Sequence, residues 1–289
     1  MWRSMLYVPG VDERKLRKST TIEADAVIID LEDSVPQGRK EEARRLVETL
    51  LGELEWGSDV CVRINNPASR EGLRDLAAVT RWETVSCLLV PKAEARLDQV
   101  YGATGKSLVA IVETARGLLR VEEVASSEGL VALNWGPADL AASLGASVDP
   151  LDSGIYTPIL RLTIAAAARA YGLEPLDKVY FKVGDLEGLG RECLEAKALG
   201  YSGKTVIHPS HVPIANEAFT PTKEEVERAR LVVEAYEDAV RRGLGAVALE
   251  GELVDAVHYR LALNVLRRAS RIGKVEESMR RENRGEGQA

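Results

Sequence analysis

SLVAIVET (residues 107–114) and LVALNWGPADL (130–140) are two apolar runs that each lead into an acid, Glu113 and Asp139. Near-continuous apolar runs of this kind fit strands of a parallel sheet covered on both faces. A carboxylate at the exit of such a strand lies where a barrel enzyme keeps its catalytic groups. A third run, VCVRIN (60–65), carries Arg63 at its end. Working outward, further strands are expected at SMLYV (4–8), AVIID (26–30), SCLLV (86–90), KVYFKV (178–183) and KTVIH (204–208). Amphipathic helical patterns separate most of them, as in GRKEEARRLVETLL (38–51), SREGLRDLAAV (69–79) and LGRECLEAKALG (189–200). Eight strands alternating with helices predict an α/β fold with a parallel sheet, and eight is the number that closes a (β/α)8 TIM barrel. An open doubly wound sheet is the alternative, but no GxGxxG follows an early strand.

The chemistry-bearing residues fall at the strand exits: Pro9-Gly10, Asp30, Arg63, Lys92, Glu113, Asp139, Asp185 and His208. After His208 the pattern changes. TPTKEEVERARLVVEAYEDAVRRG (220–243) reads as one capped helix. AVALEGELVD (246–255) reads as a hairpin turning at Glu250-Gly251, and AVHYRLALNVLRRASRIG (256–273) as a last helix. This divides the chain into a barrel, 1–221, and a C-terminal extension, 222–289, whose charged tail beyond about 274 is expected to be disordered.

The 289 residues are 45% hydrophobic and 29% charged, with a formal net charge of −7, which suits a water-soluble domain and argues against general nucleic-acid affinity. No apolar run approaches the ~20 residues of a membrane span, and the N-terminus lacks a signal-peptide pattern, so a cytoplasmic location without membrane attachment is expected. Cys61, Cys87 and Cys193 form no CxxC pair. They read as small core residues of a reducing compartment, with neither a disulfide nor a zinc site expected.

Glu113 and Asp139 offer the hard oxygen ligands that suit Mg2+, with Mn2+ as the alternative. The competing structural reading has Glu113 capping the next helix and Asp139 pairing with an arginine. Arg63 offers a planar fork for a carboxylate, or else a barrel-mouth salt bridge to Asp30 or Glu32. Gly136, just before Asp139, could let backbone N–H groups approach an anion. His208 reads as a rim residue more readily than a catalytic one. Asp255 reads only as the N-cap of the last helix.

Segments RSMLYVPG, ADAVIIDLEDSVPQGRKEEAR, VRIN, PKAE, VETARGL, GPADLAASLG, LGYSGKTVIHPSHV and EGELVD occur in that order from Arg3 onward. Together they resemble the citrate lyase β-subunit-like (HpcH/HpaI aldolase) family of Mg2+-dependent acyl-CoA lyases. The resemblance implies a TIM barrel with a C-terminal extension that covers the site of a neighbouring subunit in a homotrimer or hexamer. It implies Glu113 and Asp139 as metal ligands and Arg63 as the residue that binds the 2-keto acid. It implies Asp255, supplied by the neighbour, as the proton-transfer group. It also places Arg3 and the basic residues after Gly10 near coenzyme A. The implied reaction is reversible carbon–carbon cleavage of a 3-hydroxy-3-carboxyacyl-CoA such as malyl-, citramalyl- or citryl-CoA. The alternatives are an acyl-CoA thioesterase, or a citrate lyase β subunit acting on an acyl-carrier-protein thioester. Two departures bear on substrate size. Glu250-Gly251 and Ala256 replace the family's usual Asp-Gly and proline around the catalytic aspartate, and NWGPAD is bulkier than the commoner phenylalanine-glycine form.

Overall fold

The computed structural model describes residues 2–152 and 154–283. Its first unit, Trp2–Phe219, is a closed parallel barrel with strands in the order β1 to β8. The strands are β1 Ser4–Pro9, β2 Ala26–Asp30, β3 Asp59–Arg63, β4 Val85–Val90, β5 Ser107–Val112, β6 Leu130–Trp135, β7 Glu174–Asp177 and β8 Gly203–Val206. The helices are α1 Glu13–Ser19, α2 Lys40–Glu53, α3 Arg70–Val79, α4 Asp98–Thr104, α5 Ala115–Leu119, α6 Val121–Ala125, α7 Pro137–Leu144, α8 Asp149–Asp152, α9 Thr157–Ala170, α10 Leu186–Ala198 and α11 His211–Phe219. The barrel closes where Ser4–Leu6 of β1 pair with Lys204–Val206 of β8. This is the TIM barrel expected from the strand count.

Side chains on each strand alternate between two cores. Met5, Ala26, Ile28, Cys61, Cys87, Leu89, Val109, Ile111, Ala132 and Leu176 form an apolar cluster inside the barrel. Their neighbours, such as Leu6, Val27, Ile29, Val62 and Leu88, join the larger core packed beneath the helices. That is the layered interior of a TIM barrel, a filled plug with no pore. Among the described residues, no helix is long and apolar enough to cross a membrane.

Two expectations are corrected here. The seventh strand is not KVYFKV (178–183) but the preceding EPLD, Glu174–Asp177. Its register is fixed on both sides, Leu133 beside Pro175 and Leu176 beside Gly203. Two acids and a proline in four residues hide a strand from any reading based on apolar runs. Cys61 and Cys87 are also not separate core thiols. They face each other across the β3–β4 register and are joined in a disulfide, with Cα atoms 4.6 Å apart. Cys193 is free and buried.

The second unit begins at Thr220. Helix α12, Lys223–Arg241, starts with a capping box in which Thr222 and Glu225 exchange side-chain and backbone hydrogen bonds. Strands β9, Ala246–Leu249, and β10, Glu252–Asp255, form the expected hairpin. Glu250 and Gly251 both have positive φ, 52° and 86°, as a two-residue hairpin turn of this hand requires. Helix α13 runs Ala256–Asn283, and Val232, Val254 and Ala262 pack this unit's own small core. The tail expected to be disordered beyond about 274 is instead helical in α13 as far as Asn283, and its end, 284–289, lies outside the described residues.

Candidate active site

The two-residue period of the strands builds the site directly on the plug. Met5 leads to Tyr7, Ile28 to Asp30, Cys61 to Arg63, Ile111 to Glu113, and Ala132 to Asn134. Each strand therefore delivers one polar side chain immediately above its last inward apolar one. Tyr7, Asp30, Arg63, Glu113, Asn134, Gly136 and Asp139 all line one cavity of about 490 Å³ at the strand exits, a size typical of small-molecule sites.

Glu113 is only 3% exposed. Burial first, then the nearby Asp139 and Glu32 carboxylates, push its carboxyl up to about 8. Its Oε1 accepts the backbone N–H of Lys92 at 2.9 Å. Its Oε2 faces Gly136, where a Cβ would sit 2.6 Å away, so any side chain there would displace the carboxylate from this position. Asp139 lies in the first turn of α7 with its carboxylate partly exposed. The Lys92 ammonium lies 3.5 Å from Asp139 Oδ1, 3.9 Å from Glu113 Oε1 and 2.7 Å from Glu32 Oε1. Burial pulls the Lys92 ammonium down, but Glu32, Glu113 and Asp139 outweigh it and hold the group well above its usual range. Neither structural alternative for the acids holds. The cap of α5 is Thr114, which accepts the Gly117 N–H, and Asp139 is paired with a lysine.

These donors fit a hard divalent cation. Two carboxylates converge on one positive charge, and Mg2+ commonly takes one or two carboxylates and completes its shell with water and substrate. Among the described residues no three His, Cys, Asp or Glu side chains gather into a closed cage.

Arg63 is held by a fork-to-fork pair with Asp30, Nε to Oδ1 and Nη2 to Oδ2 both 2.7 Å. Its Nη1 lies 3.2 Å from Glu32 and 3.5 Å from Asp33, and the guanidinium stacks 4.9 Å above the Tyr7 ring. The salt bridge expected as an alternative is thus real, and it fixes the guanidinium at the cavity wall. Asp30 also accepts the N–H groups of Glu32 and Ser34, and Lys40 donates to the carbonyls of Leu31 and Glu32. The DLEDSV loop is in this way tied down at both ends.

Behind β7 lies a buried charge network. Asp177 accepts from Arg161 at 3.0 Å and from Lys204 at 2.8 Å, and Glu192 accepts from Lys178 at 2.7 Å and from Lys204 at 2.6 Å. Trp135 Nε1 donates to Asp177, and Asn134 donates to the carbonyls of Leu176 and Asp177. The network anchors the end of β6, one residue before Gly136.

Arg63, Glu113, Gly136 and Asp139 are brought together; Arg3 is not with them. It precedes β1, at the opposite end of the strands, and its buried guanidinium is engaged with Asp25 at 2.8 Å. Where the resemblance puts Arg3 near coenzyme A, the structure shows this buried pair with Asp25. Asp255 belongs to the second unit, where its Oδ1 accepts the N–H groups of Val257 and His258, the N-cap geometry expected, and also meets the His258 ring at 2.7 Å. His208 is exposed and bonded to Ser210, and Asp185 caps α10 through the Gly188 N–H. Sequence reasoning missed Tyr7 and Asn134. The two-residue step from Met5 and Ala132 was the signal that could have found them. It also gave Lys92 no role. Residues 178–183 form the loop after β7, and Val179 and Phe181 within it line the cavity.

A parallel barrel with paired carboxylates and a clamped arginine around a cavity at its strand exits suits an enzyme acting on a small molecule. The family model described as HpcH/HpaI aldolase/citrate lyase matches residues 3–209, and one described as a carbon–carbon bond lyase of the TIM-barrel fold matches 152–273. The chain is 36% identical to a (3S)-malyl-CoA thioesterase of Cereibacter sphaeroides, covering 96% of this chain and 98% of the relative. It is 35% identical to citrate lyase subunit beta of Escherichia coli, covering 95% of each. It is 32% identical to the mitochondrial citramalyl-CoA lyase of Rattus norvegicus, covering 93% and 86%. Among solved structures, the protein CitE of Mycobacterium tuberculosis in complex with magnesium, acetoacetate and coenzyme A superimposes with a TM-score of 0.78 at 34% identity, covering 92% of this chain and 97% of that one. The chain belongs to the HpcH/HpaI aldolase/citrate lyase family and is a carbon–carbon lyase of the citrate lyase β type.

Proposed function

We propose that this chain is a Mg2+-dependent lyase that cleaves, or in reverse condenses, a 3-hydroxy-3-carboxyacyl-CoA to acetyl-CoA and a 2-keto acid. Malyl-, citramalyl- and citryl-CoA are the candidate substrates. The observation that carries the reading is the convergence of Glu113 and Asp139 on one cationic position, in the same cavity as Arg63. The relative in complex with magnesium, acetoacetate and coenzyme A supports it.

Held by Glu113 and Asp139, Mg2+ would supply Lewis-acid polarisation to the substrate's oxygens. Arg63, fixed by Asp30, would bind the carboxylate of the keto acid through Nη1, in exchange for that nitrogen's longer contacts to Glu32 and Asp33. Cleavage leaves negative charge on the thioester enolate, so oriented positive charge in the cavity favours it. Asp255 would return a proton to that carbon in cleavage and remove one in condensation. It would come from a neighbouring subunit of a homotrimer or hexamer, as the family resemblance implies. In its own unit the His258 ring and the N–H groups of His258 and Val257 hold Asp255 below the usual carboxylate range. A useful base needs the opposite shift, which desolvation by another chain would provide.

The test is a cleavage assay on the three CoA esters with Mg2+ or EDTA, identifying keto acid and free CoA. Keto acid formed only with metal is the expected result. Free CoA without keto acid would favour the thioesterase chemistry of the Cereibacter relative. Activity only on acyl-carrier-protein thioesters would favour the citrate lyase subunit reading.

A further inference from the structure

Lys92 follows β4 with φ of 52°, a left-handed conformation that costs a side-chain-bearing residue about 1–2 kcal/mol. That conformation turns both of its donors to one place. The backbone N–H binds Glu113 Oε1 at 2.9 Å, and the ammonium lies within 3.9 Å of the same oxygen and 3.5 Å of Asp139 Oδ1. A side chain on a four-carbon stem thus touches both carboxylates that a divalent cation would use. Its shortest contact, however, is Glu32 Oε1 at 2.7 Å. Glu32 is buried, and its other oxygen faces Arg63 at 3.2 Å. Five carboxylates (Asp30, Glu32, Asp33, Glu113 and Asp139) are ion-paired with two cations, Arg63 and Lys92, and Lys40 adds a third positive charge near Asp30, Glu32 and Asp33 while donating to the Leu31 and Glu32 carbonyls. The surplus of negative charge suits a divalent ion, but that ion and the ammonium would draw on the same oxygens and repel each other.

We infer that Lys92 is a built-in competing cation that sets the affinity of the Glu113–Asp139 pair for divalent metal, with Glu32 as the post that holds it off the pair. The inference rests on the reading of Glu113 and Asp139 as metal ligands. It assigns Lys92 a positioning role, since it acts through the carboxylates. Metal affinity is tuned down by the lysine and tuned up by the glutamate that retains it.

The experiment measures Mn2+ binding to the full chain by titration calorimetry and by the free-Mn2+ EPR signal, without substrate. Lys92→Met, which keeps length and removes charge, should lower the Kd at least tenfold. Glu32→Gln, which releases the ammonium toward the pair, should raise it. An unchanged or raised Kd in a folded Lys92→Met protein overturns the inference. If that variant does not fold, Lys92→Gln is read by the same criterion. Glu113→Gln separates the two levels. If it binds Mn2+ as tightly as the wild type, the metal reading itself fails and the role of Lys92 fails with it. If it loses binding while Lys92→Met is unchanged, only the lysine's role fails.

Discussion

Gly136 shows how much a single missing side chain decides. Glu113 is buried with one oxygen toward Lys92 and the other in the space a Cβ at 136 would take, 2.6 Å away. Overpacking of this kind costs about 1–3 kcal/mol, to be met by moving the carboxylate or the strand end. Gly136→Ala should therefore weaken Mn2+ binding and lower lyase activity by about tenfold or more, while circular dichroism still reports a folded barrel. Wild-type Mn2+ affinity in this variant would show that Glu113 moves freely and that the glycine has no such role. At this scale the sequence was readable where residue type carried the signal. Glu113, Asp139 and Arg63 stand out because charged groups rarely end apolar runs without a purpose. Lys92 does not, because its importance lies in a backbone angle and in contacts with residues 60, 21 and 47 positions away.

Strand β7 is the element that carries the most hidden organisation. Its Asp177 joins Arg161, Lys204 and Trp135 in a fully buried cluster. Burial alone would raise the Asp177 carboxyl, but Lys204, Arg161 and Lys178 outweigh it and hold it far below the ordinary range. The folded-state value is depressed. Its stabilisation is therefore fully present above the unfolded value near 3.9 and is lost as pH falls through the folded one. Asp177→Asn leaves buried cations short of a counter-charge and should cost about 3–5 kcal/mol in urea unfolding at pH 7. The difference from wild type should stay flat down to about pH 5 and shrink only in strong acid. A loss below about 1 kcal/mol at pH 7 would show that Glu192 alone satisfies both Arg161 and Lys204. The same strand marks where sequence reading failed. Apolar periodicity detects strands that bury hydrocarbon on both faces, and β7 instead buries a proline, a leucine and an ion-paired aspartate. The hairpin at Glu250-Gly251 was legible for the opposite reason, since its turn demands positive φ and declares it through glycine.

At the scale of the molecule, the carboxylates and Arg63 sit in one unit and Asp255 in the other. The family resemblance supplies the proposal that a complete site draws on two chains. Complementation tests it. Glu113→Gln and Asp255→Asn proteins, each inactive alone, should recover activity when unfolded and reassembled together, to about a quarter of wild type for random mixing in a closed ring. No recovery, with mixed oligomers demonstrated by mass, would place both residues of a working site on one chain.

The reactive layer stands two residues above the plug on every strand that contributes to it, Tyr7 over Met5, Arg63 over Cys61 and Glu113 over Ile111. Chemistry and scaffold thus occupy alternate storeys of the same strands. Exchanging an upper residue changes what the cavity attracts and leaves the floor standing, whereas a hole made in the floor tilts everything built on it.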